Sequence, residues 1–481
     1  MNKITEILNH SSTNKALFCF LILTFIAGCG TKTYEAPNLG GLYNTAAMHA
    51  SGRNPVIVIP GFLGSKLKDS ESGQVVWGAF TRDTADPQEP EGARLIALPM
   101  RKGAKFSELT DSVHSDGALD VVKVKLFGLP LELNAYINIL STLGAGGYID
   151  EALASNDLNN IDYGDDHFTC FQFDYDWRLD IVENSKLLKK FIEDKTTYIK
   201  LEYEKRGIKR DEIKFDIVAH SLGGLLARYF VRYGSESLPE DGSLPQLTWD
   251  GANYIDKLVI IGTPNAGAYG AIETVVNGRD FGLFLPKYES AIIATFPSMP
   301  QQFPRSRHGA ILDSEGNRLD PLDPDVWIKY QWGLADPDQE EIISWLLPDI
   351  DDPNERKEIA IDHLRKSLKN ARQFQEALDV KATPPPGLKI YLIAGDAILT
   401  GSVITVNSNG DIEVTEEAPG DGTVLRSSAL MDERVGNEWR PLLDSPISWS
   451  NVMFLFNDHL GLTKDPTFSD NVLYILLEQP G

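Results

Sequence analysis

Short apolar runs punctuate this chain, and the stretches between them place apolar residues at helical spacing. The clearest runs are Pro55-Val-Ile-Val-Ile-Pro60, His167-Phe-Thr-Cys-Phe-Gln-Phe173, Ile213-Lys-Phe-Asp-Ile-Val-Ala219, Lys257-Leu-Val-Ile-Ile261 and Leu388-Lys-Ile-Tyr-Leu-Ile393. Such runs, rich in β-branched residues, read as strands covered on both faces. Helical periodicity over 180–206, 222–234 and 356–380 falls between them. Strands alternating with helices predict an α/β architecture with a mostly parallel sheet. Asn409-Gly410, flanked by Val403-Ile-Thr-Val406 and Ile412-Glu-Val414, reads as a hairpin turn. Two stretches interrupt the pattern, at about 64–130 and 264–386. They mix Pro, Gly and acidic residues with short apolar islands and read as a lid and a cap inserted into one domain over 55–481. The acidic Asp349-Ile-Asp-Asp352 lacks the spacing of a calcium loop and reads as a solvated loop or helix cap.

The N-terminus follows a different pattern. Lys3 and Lys15 precede the apolar run Ala16–Ile26, which is too short for a membrane span and suits a signal-peptide core. Ile26-Ala-Gly-Cys29 resembles a bacterial lipobox, with plain cleavage after small residues as the alternative. On the lipobox reading residues 1–28 are removed, Cys29 is acylated and 29–54 form a tether. Gly30 after that cysteine resembles the pattern sent to the outer membrane, so an exported, membrane-anchored lipoprotein is expected.

Composition narrows the classes. With 45 basic and 69 acidic residues the net charge is −24, which repels phosphate backbones and argues against nucleic-acid binding. Once the signal is removed and Cys29 lipidated, Cys170 alone remains of the three cysteines, so no intramolecular disulfide can form. No metal or organic cofactor signature is present.

The candidate chemistry centres on Asp216-Ile-Val-Ala-His-Ser221-Leu-Gly-Gly224. A strand runs into a small-x-Ser-x-Gly turn and then into a helix, the pattern of a nucleophile elbow in an α/β-hydrolase fold. Ala219 stands where glycine is commoner. A serine nucleophile needs a base, an acid to orient the base, and donors for an oxyanion. The loop Pro60-Gly-Phe-Leu-Gly64 offers one donor, so Phe62 N–H and Leu222 N–H are assigned to the oxyanion hole. Chain order puts the acid and then the histidine after the serine. Asp421, in a Gly-Asp-Gly turn, is preferred to Asp396 as the acid. His459, near the C-terminus after Val452–Phe456, is preferred to His308 in a loop and to His363, read as a surface residue of a helix. His220 is read as structural.

Together these motifs resemble the lecithin:cholesterol acyltransferase family, which includes lysosomal phospholipase A2. The matching segments, in order, are Pro55–Leu67, Phe173-Asp-Tyr-Asp-Trp-Arg178, Ala219–Gly224, Ile261-Gly-Thr-Pro-Asn-Ala-Gly267, Gly420-Asp-Gly-Thr-Val424 and Asp458-His-Leu460. The resemblance implies a triad of Ser221, Asp421 and His459, with Phe62 and Leu222 framing the oxyanion. It implies that Asp174–Arg178 pack near the nucleophile and that Trp77 corresponds to a substrate-contacting lid tryptophan. The disulfide that braces the lid of vertebrate members has no counterpart here. The implied reaction passes a fatty acyl group from a lipid ester to Ser221 and then to water or an alcohol. Two other readings stand beside it, a serine esterase on non-lipid esters and a non-catalytic surface lipoprotein that keeps the fold.

Overall fold

The computed structural model describes residues 39–43, 52–80, 84–119, 121–126, 129–134, 136–155, 167–280, 286–434 and 440–478. Residues 1–38 fall in a separate unit from Leu39–Gly481. The signal-peptide stretch, Cys29 and most of the tether lie outside the described residues.

Six strands form the central sheet: β1 (Val56–Ile59), β2 (Cys170–Gln172), β3 (Phe215–His220), β4 (Ile255–Ile261), β5 (Lys389–Gly395) and β6 (Asn451–Leu455). Their spatial order is β6-β5-β4-β3-β1-β2, and every neighbouring pair is parallel. The chain leaves β1 toward one edge and then returns to the other side of it. The order therefore reverses between β1 and β3, and in open α/β sheets ligands bind outside the carboxyl ends of strands at such a point.

The period-two geometry of a strand sorts these apolar runs onto two faces. Ile57, Ile59, Phe171, Ile217, Leu258, Ile260 and Leu392 face one core. Val56, Val58, Cys170, Val218, Val259, Ile261 and Ile393 face the other. Five helices matter here: α1 (Ile137–Ala145), α2 (Ile181–Lys205), α3 (Leu222–Tyr233), α4 (Pro353–Asp379) and α5 (Pro466–Leu473). α2, α3 and α4 contribute apolar residues to the first core, and α1 and α5 cover the second. All of α3 is buried, which explains a composition as apolar as Leu222-Gly-Gly-Leu-Leu-Ala. Cys170 is buried in β2, and burial pushes its thiol well above its ordinary pKa.

The long stretches are more regular than their composition suggests. Within 64–130, Ser65–Asp69 pairs antiparallel with Val75–Trp77 and with Val113–Ala118, and Val121–Leu126 pairs with Leu129–Asn134. Strands this short carry too few residues for their pattern to stand out. Ile398–Val406 and Ile412–Gly420 form the hairpin around Asn409-Gly410. Asp352 caps α4 by accepting the Asn354 N–H at 3.0 Å.

His363 corrects the surface reading. It is 1% exposed, and its Nε2 donates to the Thr295 carbonyl at 2.9 Å. Residues of the cap stretch cover the face of α4 that the sequence left apparently open to water.

Candidate active site

β3 delivers Ser221 to the carboxyl edge of the sheet, and α3 starts at the next residue. Ser221 has φ 54° and ψ −123°, a conformation that costs free energy in a residue with a Cβ and lifts its side chain clear of the turn. The sharp turn sets the surrounding residue sizes. A Cβ on Gly223 would meet the carbonyl oxygens of Pro60 and Ile59, and one on Gly224 would collide with the Thr263 side chain. Ser221 N–H is held by the Ile261 carbonyl at 2.8 Å, which ties the turn to β4.

Asp421 follows directly on the hairpin strand Ile412–Gly420, so the two-stranded arm that leaves β5 carries it back to the sheet edge. A Cβ on Gly395, the last residue of β5, would lie 2.6 Å from the Asp421 Cβ, so the approach requires glycine there. His459 sits in the loop after β6, and its backbone N–H donates to the Asp421 carbonyl at 2.9 Å. Its Nδ1 lies 2.8 Å from Asp421 Oδ2, and its Nε2 lies 3.0 Å from Ser221 Oγ. A carboxylate can only accept, so Nδ1 carries hydrogen and Nε2 is free to take the serine proton. The structure thus brings together the three side chains singled out from sequence.

Burial pushes the Asp421 carboxyl up, but the hydrogen bond and charge of His459, with the N–H groups of Val424 at 2.7 Å and Thr423 at 2.9 Å, outweigh it. The net shift is below the ordinary carboxylate value. Asp421 is therefore an anion wherever the protein is folded near neutrality.

The loop after β1 runs beside Ser221: a Cβ on Gly61 would lie 2.7 Å from the Ser221 Cβ. Aromatic side chains hold its backbone. Tyr175 Oη donates to the Pro60 carbonyl at 2.9 Å, and the Trp177 indole N–H donates to the Ser65 carbonyl at 3.1 Å. Gly61 N–H donates to Tyr136 Oη at 2.7 Å, and Gly64 N–H donates to the Gly61 carbonyl at 3.0 Å. Leu63 is held at φ 62°. Among the described residues, neither Phe62 N–H nor Leu222 N–H donates to another backbone group. A cavity of about 880 Å³ opens beside Ser221 and His459, with Phe62, Leu63, Trp177, Ile293, Phe296 and Met299 among its apolar walls.

With this geometry in hand, residues 152–403, just over half of the chain, match the family described as Lecithin:cholesterol acyltransferase. The chain belongs to the lecithin:cholesterol acyltransferase family. It is, in general terms, an acyl-ester hydrolase or acyltransferase. A chain of the Tle4–Tli4 complex superimposes with a TM-score of 0.51 at 13% identity, over 88% of this chain and 97% of that one; this likeness speaks to the α/β-hydrolase fold alone. Lipase 1 from Pelosinus fermentans aligns at 14% identity over 89% of this chain and 100% of that one, but its TM-score of 0.33 supports no argument. No curated protein matches the chain. The family match includes Ser221 and ends before Asp421 and His459, so their placement beside the serine rests on the geometry above.

In this lecithin:cholesterol acyltransferase family member the rival residues lie elsewhere. Asp396 faces Arg426 at 3.7 Å, and His308 Nε2 is 3.1 Å from Glu433. Trp77 is 5% exposed and does not line the cavity. Its indole N–H donates to the Leu63 carbonyl at 2.8 Å, and its ring packs edge-on to Trp177 and Tyr288. In this conformation Trp77 holds the loop after β1 from behind. Arg178, fully buried, pairs with Asp176 at 2.6 Å and Asp111 at 3.0 Å, anchoring the Asp174–Arg178 segment under the same loop. Sequence reasoning missed Tyr136, which stands at the end of a stretch with no motif to mark it. Among the described residues no cluster of His, Cys, Asp and Glu could hold a metal ion.

Proposed function

We propose that this protein is a serine-dependent lipid acyl hydrolase or O-acyltransferase that works through an acyl-enzyme on Ser221. The observation that carries the reading is His459 bridging Ser221 Oγ at 3.0 Å and Asp421 Oδ2 at 2.8 Å at the edge of a large apolar cavity. Ser221 Oγ attacks the ester carbonyl carbon and its proton passes to His459 Nε2, while Asp421 stabilises the imidazolium. The carbonyl oxygen becomes an oxyanion held by Phe62 N–H and Leu222 N–H. Collapse breaks the ester C–O bond, and His459 returns the proton to the leaving alcohol. Water or an acceptor alcohol then gives its proton to His459 and attacks the acyl-serine. The products are a fatty acid or a new ester, and the serine is restored.

The apolar walls favour a long acyl chain over a small polar ester, since each buried methylene contributes about 0.8 kcal/mol. Fluorophosphonate labelling tests the nucleophile: the wild type should label and Ser221→Ala should not, with turnover falling about 10⁶-fold. Labelling that survives Ser221→Ala would overturn the reading. For the N-terminus, we propose acylation of Cys29 in an exported lipoprotein. Palmitate incorporation in the wild type and its loss in Cys29→Ser is the expected result; equal labelling of both refutes it. No described helix is long and apolar enough to cross a membrane.

A further inference from the structure

Next to the nucleophile, His220 points away from the substrate cavity, and both of its ring nitrogens are engaged. Nε2 lies 3.2 Å from the His459 carbonyl and Nδ1 lies 3.3 Å from Tyr136 Oη. A carbonyl only accepts, so the His220 hydrogen sits on Nε2 and its Nδ1 lone pair faces the tyrosine hydroxyl. Tyr136 O–H therefore donates to His220 and, through its oxygen, accepts Gly61 N–H at 2.7 Å. Every link then has one donor and one acceptor. Tyr136 and His220 are buried, and burial lowers the His220 pKa to about 3, so the ring stays neutral with this one tautomer.

The ends of this chain are telling. Gly61 precedes Phe62, whose N–H is one of the two oxyanion donors proposed above. His459 supplies the base, and the His220 and His459 rings stand 4.7 Å apart between centroids. The backbone of His459 is held on both sides, its N–H by the Asp421 carbonyl and its C=O by His220.

We propose that Tyr136 and His220 are positioning residues: a hydrogen-bonded relay from Gly61 N–H to the His459 carbonyl keeps the oxyanion loop and the general base in register across Ser221. This rests on the triad reading of the preceding section. The two links made by His220, at 3.3 and 3.2 Å, lie at the long end of the hydrogen-bond range, as catalytic contacts commonly do before substrate binds. Neither side chain touches substrate, so their loss degrades transition-state binding and leaves ground-state binding intact.

The test compares Tyr136→Phe, His220→Asn, the double variant and Thr142→Val on a soluble short-chain ester. Thr142, on α1 just after Tyr136, bonds Ser469 at 2.8 Å and reports a merely structural disturbance of that helix. Misplacing an oxyanion donor costs less than the roughly 10²–10³-fold of deleting one, so kcat should fall about 10- to 100-fold in each relay variant. KM should stay within about threefold, and a trifluoromethyl ketone that mimics the oxyanion should weaken by the same factor as kcat/KM. The double variant should be little worse than the worse single one, because one chain is broken either way. Thr142→Val should keep wild-type kcat. The relay is overturned if Tyr136→Phe, or His220→Asn where the first fails to fold, turns over within twofold of the wild type. It is also overturned if Thr142→Val shows the same loss. Failure of the wild type to label at Ser221 would instead defeat the underlying reading.

Discussion

The two ends of β3 present the same physical problem with opposite outcomes. At the carboxyl end, the buried carboxylate of Asp421 has a histidine on one oxygen and two backbone N–H groups on the other, and its pKa is lowered. At the amino end, Asp216 is fully buried with thinner support. Oδ1 accepts from Asn54 at 3.2 Å and Lys257 N–H at 3.1 Å. Among the described residues Oδ2 has no hydrogen-bond partner, and the Lys257 ammonium is 3.7 Å away. There burial dominates and raises the carboxyl to about 6. Depth alone thus does not decide ionisation; the number and geometry of donors do. The Asp421 end holds its charge ready, whereas the other holds a carboxyl that is partly protonated at mildly acidic pH.

The largest effect that could break this contrast is on turnover. Asp421→Asn should lower kcat about 10⁴-fold by releasing the tautomer and orientation of His459, while Asp396→Asn should stay within a few-fold of the wild type. The reverse ranking in ester assays would move the acid to Asp396. The next effect is on stability. The Asp216 pKa is raised by folding, so its protonated form contributes stability that is complete below the unfolded value and is lost as pH rises through about 6. Asp216→Asn should therefore gain on the wild type by roughly 2–3 kcal/mol between pH 4 and pH 8, read by denaturant melts. A pH-independent difference would show that Asp216 is an ordinary carboxylate.

Asp421, lowered by folding, has the opposite sign: it stabilises above its unfolded value, and that contribution disappears as pH falls through the folded value. The stability cost of Asp421→Asn should accordingly shrink on acidification. Smallest of all, Thr400→Val removes the hydroxyl that accepts Gly422 N–H at 2.8 Å and should cost about 1 kcal/mol in a thermal melt, with a modest loss of kcat/KM. An unchanged melt would mean that the turn around Asp421 does not depend on the arm that delivers it.

The parts of this picture that were legible in the sequence are those written locally. Buried parallel strands appear as continuous apolar runs, and the elbow appears because the collisions awaiting Gly223 and Gly224 force small residues there. Asp421 stands out through its glycine neighbours, and His459 through its place after the last apolar run. What stayed hidden depends on distant neighbours. His363 reads as a surface residue until the Thr295 segment covers it, and nothing local shows that the Trp77 indole reaches the Leu63 carbonyl. Tyr136 reaches Gly61 across 75 positions, a contact no local pattern encodes.

The most direct test of the central claim is rapid quenching of the purified protein during turnover of a long-chain phospholipid, followed by peptide mass spectrometry. One fatty acyl group on the peptide containing Ser221, formed and consumed at the rate of turnover, is the predicted result. Turnover with no acylated Ser221, or with the acyl group on another side chain, would contradict the account.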